Sequence, residues 1–402
     1  MQLEIPKKLN AMVEQAHLVA TEVFRPISRK YDRAEHEYPV ELDMLASVMD
    51  GMNEGDLGGG AGAAKLKRGS SERGGDVRNG VNMTTVLGLT ELSWGDVGLA
   101  LTIPRQGLGN AAIAAVANEE QVRRFKGRWA AMAITEPGAG SDSANIRTTA
   151  TLDGDQYVLN GEKIFITAGG RADLVVVWAT LDPALGRAAI KSFVVEKGTP
   201  GMQLVRLDHK LGIRASDTAT ITFSDCRVPK ENLLGSPEVD TKQGFGGVMQ
   251  TFDNTRPLVA AMALGVGRAS LERTRDLLRQ RGILGNYERT LYGSTAAEAE
   301  LYRMEADLEA ARLLTLKAAW LADNGIPNSK EASMAKAKAG RVANHITLRC
   351  LQLCASVGAT ETELLEKWAR DSKILDIFEG TQQIQLLIIA RRLLGKSSQE
   401  LR

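Results

Sequence analysis

The sequence predicts an α+β protein made of three consecutive domains: a helical domain, an antiparallel β domain and a second helical domain. Apolar residues recur at helical spacing up to about residue 126 and again from about residue 245. Between these regions, short runs of β-forming residues alternate with turn residues. This order argues against a nucleotide-binding fold, because such folds are built from repeating βαβ units.

The composition is that of an ordinary globular protein. Its 402 residues include 50 lysines and arginines, 49 aspartates and glutamates and 44% hydrophobic residues, with a formal net charge of +1. This apolar content excludes wholesale disorder, and the charge balance offers no basic excess for binding a nucleic acid. The N-terminal segment has no apolar signal-peptide core, and no run of about 18 apolar residues occurs. We therefore expect a cytoplasmic protein with no membrane span and no nucleic-acid partner.

The first predicted domain, residues 1–126, is helical. Apolar residues repeat at helical spacing over residues 7–24, and Pro26 is expected to end that helix. A glycine-rich insertion at residues 51–80 interrupts the short helices that follow. Its glycines and charged residues are typical of a long flexible loop, and the sequence assigns it no role.

The second predicted domain, residues 127–238, consists of β-strands. Asp153-Gly154 and Asn160-Gly161 separate its first three β-type runs. Each pair supplies the positive φ angles that a tight hairpin turn requires. The pattern therefore predicts a compact antiparallel domain with a hairpin turn at each pair.

The third predicted domain, residues 239–402, is a bundle of long helices. One face of a predicted helix carries the apolar residues Leu301, Met304, Leu308, Ala311 and Ala318.

The three cysteines are too few for a disulfide framework, and Cys350 and Cys354 lack the histidines or further thiols of a zinc site. We predict packing roles for all three cysteines, Cys226 included, and no bound metal.

Two segments of the β domain have side chains suited to a flat ligand. Residues 134–142 combine small residues with hydroxyls, so that their backbone N–H groups could approach a planar or anionic ligand. Phe165 and Thr167 are two positions apart, which places both on one face of a strand. The alternatives are an ordinary connecting loop and a half-buried strand.

Glu379 is the candidate general base. It follows Ile377 and Phe378 and precedes Gly380, at a predicted break between two helices. Apolar neighbours disfavour the charged form of a carboxyl group and raise its pKa toward that of a useful base. The alternative is a solvated glutamate at a helix end.

Taken together, five segments resemble the acyl-CoA dehydrogenase family. They occur in the family's order at compatible spacing, and they are residues 134–142 (ITEPGAGSD), 163–169 (KIFITAG), 211–235, 252–256 (FDNTR) and 377–385 (IFEGTQQIQ). The resemblance covers about residues 130–395, whereas the N-terminal third matches only in helical character. It implies an N-terminal helical domain, a middle β-barrel and a C-terminal four-helix bundle.

The resemblance implies an FAD-dependent enzyme that oxidises an acyl-CoA thioester to a trans-2-enoyl-CoA. Glu379 takes the place of the family's base, which removes the α-proton while the β-hydride passes to flavin N5. The base's backbone N–H and a flavin ribityl hydroxyl polarise the thioester carbonyl. Some relatives carry the base on the first long bundle helix, where this sequence has Thr255, so Glu379 is the predicted base. An electron-transferring flavoprotein is the implied electron acceptor.

The resemblance also assigns binding residues by position. The implied FAD contacts are Met132, Ile134, Thr135, Gly140, Ser141, Phe165, Ile166, Thr167, Thr381 and Gln383, with Arg281 and Gln352 reaching the FAD of a neighbouring subunit. The implied acyl-CoA contacts are Ser141, Asp253, Arg256 and Gly380. Phe165 stands where the family usually has tryptophan, and Phe378 where it has tyrosine.

Two departures concern the half of the FAD site that a neighbouring subunit supplies. The segment that begins at Arg281 lacks the family's aromatic residue, and Ala355 and Ser356 replace two glycines after Gln352. One hypothesis is a homotetramer or homodimer that tolerates these changes. The other is a heteromer in which a related subunit completes the FAD site.

Two further alternatives are an oxidase of the same fold that uses O2 and a non-catalytic subunit. The sequence does not predict acyl chain length or branching.

Overall fold

The N-terminal part of the chain is helical. The computed structural model describes residues 5–52, 80–239, 246–283, 285, 287–288, 290–397 and 400. Its first helices are α1 (Asn10–Val19), α2 (Arg25–Arg33), α3 (Glu41–Met52), α4 (Val81–Ala100), α5 (Leu108–Val116) and α6 (Glu119–Phe125). The glycine-rich insertion predicted at residues 51–80 lies outside the described residues over positions 53–79.

Pro26 does not end the first helix, contrary to the sequence prediction. A π-helical turn (Ala20–Phe24) connects α1 to α2, and the Arg25 N–H donates to the Ala20 carbonyl five residues earlier. Pro26 lies in the first turn of α2, where a missing N–H is tolerated. The wider π turn lets the helical path continue past the proline ring.

The middle of the chain forms a seven-stranded sheet in the order β1-β4-β2-β3-β7-β6, with β5 also paired to β4. Its strands are β1 (Ala130–Ala133), β2 (Thr149–Asp153), β3 (Gln156–Thr167), β4 (Leu174–Thr180), β5 (Ile190–Glu196), β6 (Met202–Leu207) and β7 (Thr218–Pro229). The pairs are antiparallel as expected, except that β1 and β2 run parallel to β4. A local hairpin pattern does not reveal the parallel pairs, because they join strands that are distant in sequence.

Only one of the two predicted hairpin turns forms. Gly154 turns the chain between β2 and β3 with a φ of +65°. Gly161 instead lies inside β3, at a register shift against β7. A Cβ atom at Gly161 would clash with Thr148, so this glycine permits a bulge and a close approach of the backbone.

The C-terminal part is a helical bundle. Its helices are α7 (Gly246–Gln280), α8 (Ala296–Asp323), α9 (Ser329–Leu353), α10 (Ala355–Gly358), α11 (Leu365–Ser372) and α12 (Gln382–Leu394). The predicted apolar face of α8 packs into the bundle core. All three cysteines are buried and unpaired, as predicted. In the part of the chain that the structure describes, no helix has the length and apolar character that a membrane crossing requires.

One buried ion cluster joins the N-terminal helices, a loop of the β region and the bundle. Lys367 of α11 donates to Asp96 of α4 at 2.7 Å and to Asp371 at 2.6 Å. Asp371 also accepts the backbone N–H of Ile213, at 2.6 Å, and Ser28 of α2 donates to Asp96. Burial alone lowers the pKa of Lys367, but the charges of Asp371 and Asp96 outweigh it and raise that pKa.

We expect Lys367→Met to lower the free energy of unfolding by about 3 to 5 kcal/mol, because it leaves two buried carboxylates without their cation. Denaturant unfolding of the variant and the parent protein measures this difference. Arg227→Met is the matched control, since Arg227 forms an exposed ion pair with Asp153 that contributes less than about 1 kcal/mol. Equal losses for the two variants would contradict the special role of Lys367.

Candidate active site

A cavity of about 2240 Å³ lies where the N-terminal helices, the sheet and the bundle meet. Its lining comes from α1, α4, the end of β3, α7 and the segment that leads into α12. Pockets for one drug-sized ligand have volumes of roughly 300 to 1,000 Å³. The cavity is therefore large enough for a cofactor and a substrate together.

Glu379 faces this cavity from a strained turn between a 3-10 turn (Lys373–Asp376) and α12. Its φ angle is +57°, and Gly380 follows with a φ of +92°. A non-glycine residue in the left-handed region costs free energy, and such residues concentrate at functional sites. The turn projects a single carboxyl group into the cavity.

Three side chains hold this turn in place. Gln385, which is fully buried, donates to the carbonyl groups of Glu379 and Gly380 at 3.1 Å each. Lys336 of α9 donates to the Gly380 carbonyl at 2.7 Å. The Thr381 hydroxyl accepts the Ile384 N–H and caps α12. A Cβ atom at position 380 would clash with Gln385, so both the φ angle and the space favour glycine there.

The Glu379 carboxylate lies among opposing influences. Burial raises its pKa, whereas a hydrogen bond from Thr255 and the charges of Arg256 and Lys336 lower it, and the net shift is upward. The Thr255 hydroxyl donates to Glu379 Oε2 at 2.9 Å. Glu379 is therefore more basic than an ordinary glutamate, and Thr255 orients it.

The loop at residues 134–142 is held against β3 by a buried ion pair. Lys163 donates to Glu136 at 2.7 Å and to the Ile134 carbonyl at 3.1 Å. Glu136 also accepts the backbone N–H groups of Arg147 and Thr148 at 2.6 and 2.9 Å. Burial lowers the pKa of Lys163 to about 8, although Glu136 opposes this. The pair anchors the loop beside the cavity.

The end of β3 places alternate side chains differently from a regular strand. Phe165 has a φ of +58° at a register shift between Lys163 and Ile166. Its side chain lines the cavity and is 63% exposed, and Thr167 lines the same cavity. Ile166 is buried in the core of the sheet. Its side chain does not reach the cavity, so any contact from Ile166 would come from its backbone.

The structure brings most of the predicted site residues to one cavity. Those that line it are Met132, Ile134, Thr135, Gly140, Ser141, Phe165, Thr167, Arg256, Glu379, Gly380 and Thr381. Asp253 belongs to α7, but its side chain lies outside the described part of the chain. Gln383 is exposed on α12 and does not line the cavity.

Arg281 and Gln352 lie on the exposed surface of the bundle, away from this cavity. Ala355, which follows Gln352 closely, has a φ of +50°. Glycine adopts this conformation more readily than alanine. The backbone at Ala355 thus keeps a shape suited to glycine although the residue carries a Cβ atom.

Sequence reasoning missed three contributors to the site: Thr255, Lys336 and Gln385. Thr255 precedes Arg256 in the sequence, but it is singled out there only because some relatives carry their base at this position, and the sequence predicts no contact with Glu379. Lys336 lies 43 residues before Glu379 in the numbering of the chain. No local pattern connects Lys336 to the turn, because the contact exists only after α9 packs against it.

Sequence models of two acyl-CoA dehydrogenase domains match the chain, the middle domain at residues 131–226 and the C-terminal domain at residues 242–394. The short-chain specific acyl-CoA dehydrogenase of Clostridium acetobutylicum is 38% identical over an alignment of 281 positions, and the match covers 68% of this chain and 72% of that protein. The chain belongs to the acyl-CoA dehydrogenase family.

Two solved structures resemble this acyl-CoA dehydrogenase family member over nearly its whole length. Butyryl-CoA dehydrogenase from Megasphaera elsdenii has a TM-score of 0.82 and 31% identity, and the match covers 98% of this chain and 100% of that one. A chain in the structure of the electron transferring flavoprotein of Acidaminococcus fermentans has a TM-score of 0.82 and 32% identity, with 98% and 100% covered. The predicted family, fold class and enzyme class are confirmed, whereas the domain boundaries and site residues stay predictions.

We expect Thr255→Val to shift the acidic limb of the pH–activity profile to higher pH. The substitution removes a hydrogen bond that lowers the pKa of Glu379. A base must be ionised to act, so a higher pKa means that activity appears at higher pH. The measurement is the rate with an acyl-CoA as a function of pH.

Thr315→Val is the control, because the Thr315 hydroxyl donates to the Ala311 carbonyl in the bundle core, away from the cavity. An acidic limb that is the same in Thr255→Val and the parent enzyme would contradict the role of Thr255.

Proposed function

We propose that this protein is an FAD-dependent acyl-CoA dehydrogenase in which Glu379 removes the α-proton of an acyl-CoA thioester. The observation that carries the proposal is the Glu379 carboxyl group, which faces the cavity with a raised pKa and a hydrogen bond from Thr255. An α-proton is too weakly acidic for a carboxylate in water. Desolvation makes the carboxylate a stronger base, and a fixed orientation brings it to the proton.

The cavity lining fits the isoalloxazine part of FAD. The exposed Phe165 ring offers an apolar face for a planar ring system. At Gly140, the nearest protein atom to an added Cβ is Thr135 Cγ2 at 4.0 Å. Protein packing alone therefore does not require glycine at this position, and the space beside it is open to a ligand. Thr135, Ser141 and Thr167 add hydroxyl groups to the lining. Bound FAD would supply the acceptor for the β-hydride.

Substrate binding is assigned to residues around the base. Arg256 is buried beside Thr255 on α7 and lines the cavity, where its positive charge suits an acyl-CoA contact. Asp253 lies one helical turn earlier on α7 and stays a proposed contact on the basis of sequence alone. We assign the Glu379 backbone N–H as a donor to the thioester carbonyl, which stabilises the negative charge that develops when the α-proton leaves.

The proposed electron acceptor is an electron-transferring flavoprotein. The similarity to a chain in the Acidaminococcus fermentans flavoprotein structure supports this choice. An oxidase of the same fold would instead be reoxidised rapidly in air and release peroxide. A peroxide assay during turnover separates the two acceptors.

Glu379→Gln tests the proposed base. We expect it to lower the rate of flavin reduction by acyl-CoA about 100-fold or more, because a general base contributes roughly 10²- to 10⁴-fold to a reaction rate. FAD content should stay at the parent level, since glutamine keeps the size of the side chain. Glu363→Gln is the control: Glu363 pairs with Arg273 on the bundle and lies outside the cavity lining.

An active Glu379→Gln variant would show that another group is the base. A series of acyl-CoAs of graded length, starting with butyryl-CoA, identifies the substrate class in the same assay. If the parent enzyme contains bound FAD but shows no activity with any acyl-CoA of the series, the proposed reaction is overturned.

The backbone at Ala355 favours a heteromeric assembly. Ala355 and Ser356 carry Cβ atoms where the family has glycines, and Ala355 retains a positive φ. Side chains there obstruct the close approach of backbone to a pyrophosphate. We propose that a related subunit supplies this half of the FAD site.

The FAD-to-chain ratio tests this assembly. For the chain purified alone, we expect clearly less than one FAD per chain, and Ala355→Gly combined with Ser356→Gly should raise the ratio. One FAD per chain in a homo-oligomer of the unaltered chain would instead support the homomeric alternative. Absorbance of flavin against protein, combined with the mass of the assembly, gives the ratio.

A further inference from the structure

One face of α9 carries four residues that contact the chain segment leading to the base. Lys336, Gly340, Asn344 and Thr347 follow one another at intervals of four, four and three residues, which places them along one side of the helix. Their contacts are with residues 372–380. We call these four residues the α9 stripe.

The far end of the α9 stripe anchors the start of the segment. Asn344 donates to the Ser372 carbonyl at 2.9 Å, and the hydroxyls of Thr347 and Ser372 are also 2.9 Å apart. At Gly340, an added Cβ would lie 2.8 Å from the Leu375 carbonyl oxygen. The backbones of α9 and the segment are therefore in direct contact, and the position of α9 determines where the base can lie.

Lys336 is at the near end of the α9 stripe and is fully buried. Its ammonium group donates to the neutral Gly380 carbonyl at 2.7 Å, instead of to a carboxylate. A buried cation bonded to a neutral group is costly and calls for a physical reason. Its charged neighbours are Asp376 and Glu379 on the segment and Arg256 on α7.

The electrostatic surroundings link Lys336 to the base in both directions. Burial lowers the pKa of Lys336 to about 8, while Asp376 and Glu379 raise it and Arg256 lowers it. Conversely, the charges of Arg256 and Lys336 lower the pKa of Glu379, which burial raises. Gln385, the group on α12 that bonds the same Gly380 carbonyl, carries no charge.

We propose that Lys336 is a positioning residue for the catalytic base: it holds the Gly380 carbonyl and keeps a positive charge behind the Glu379 carboxylate. The hydrogen bond stabilises the left-handed turn that aims Glu379 into the cavity. The charge keeps the desolvated carboxylate ionised, so that it is a strong base that is still ready to accept a proton. This inference rests on the proposed function of Glu379.

Lys336→Met tests the inference in the FAD-loaded enzyme, because methionine keeps an apolar chain of similar length and removes the charge and the donor. We expect flavin reduction by acyl-CoA to slow by roughly 10- to 100-fold, because a small misplacement of a catalytic group lowers the reaction rate by a factor of this size. We also expect the acidic limb of the pH profile to move up by roughly one pH unit, the size of a nearby charge effect.

Lys338→Met is the matched control on the same helix, since Lys338 is partly exposed and pairs with Asp307. It should leave both the rate and the acidic limb unchanged. If Lys336→Met does not fold or bind FAD, Lys336→Gln carries the test, because it also removes the charge and should move the limb in the same direction. An unmoved limb in a folded, FAD-containing Lys336 variant overturns the inference.

An infrared titration provides a readout that does not require turnover. The difference between the parent protein and Glu379→Gln isolates the carboxyl signal of Glu379, and its midpoint should rise in Lys336→Met. A purely structural role for Lys336 would lower stability and leave this midpoint in place, which would overturn the inference. Failure of the parent enzyme to reduce flavin with any acyl-CoA would instead overturn the proposed function, and the infrared midpoint would still decide the role of Lys336.

Discussion

Lys367 lies fully buried between Asp96 and Asp371, and this contact joins parts of the chain that are far apart in sequence. Asp96 has non-helical backbone angles inside α4, and its carboxylate accepts the Leu99 N–H at 2.9 Å, so it also restarts the helix after the kink. Asp371 receives the N–H of Ile213, from the loop before β7. If the ammonium group were absent, two carboxylates would face each other without solvent. The cluster thus fixes three parts of the chain that each contribute to the cavity lining.

Three fully buried lysines, Lys163, Lys336 and Lys367, each cross a boundary between elements in the described part of the chain. Their ionisation differs because their partners differ. Lys163 faces one carboxylate, Lys336 hydrogen-bonds a carbonyl, and the pKa of each is lowered to about 8 by burial. Lys367 faces two carboxylates, and their charges raise its pKa instead. Two hydrogen-bonded anions overcome the desolvation of one cation, whereas a single partner does not.

In the candidate site, burial and neighbouring charges also act in opposite directions on a pKa, here that of the Glu379 carboxyl group. As the proposed base, Glu379 must leave water to become a stronger base, yet it must stay ionised to accept a proton. Burial supplies the first condition, and Thr255, Arg256 and Lys336 supply the second. The strained turn at Glu379 is stabilised by hydrogen bonds to its carbonyl groups from two helices, from Gln385 on α12 and from Lys336 on α9. The position and the raised pKa of this proposed base therefore come from the same few contacts.

The sequence by itself determined the order of helical and β regions, the buried face of α8 and the segments that meet at the cavity. These features follow from local periodicity and from short motifs, which depend on neighbouring residues alone. The tertiary structure decided that Asn160-Gly161 is a bulge, that the chain continues past Pro26 as a helix, and that β1 and β2 run parallel to β4. It also decided that Lys336 and Thr255 support Glu379. Such outcomes depend on which distant surfaces pack together and lose their water, and no window of sequence contains both partners.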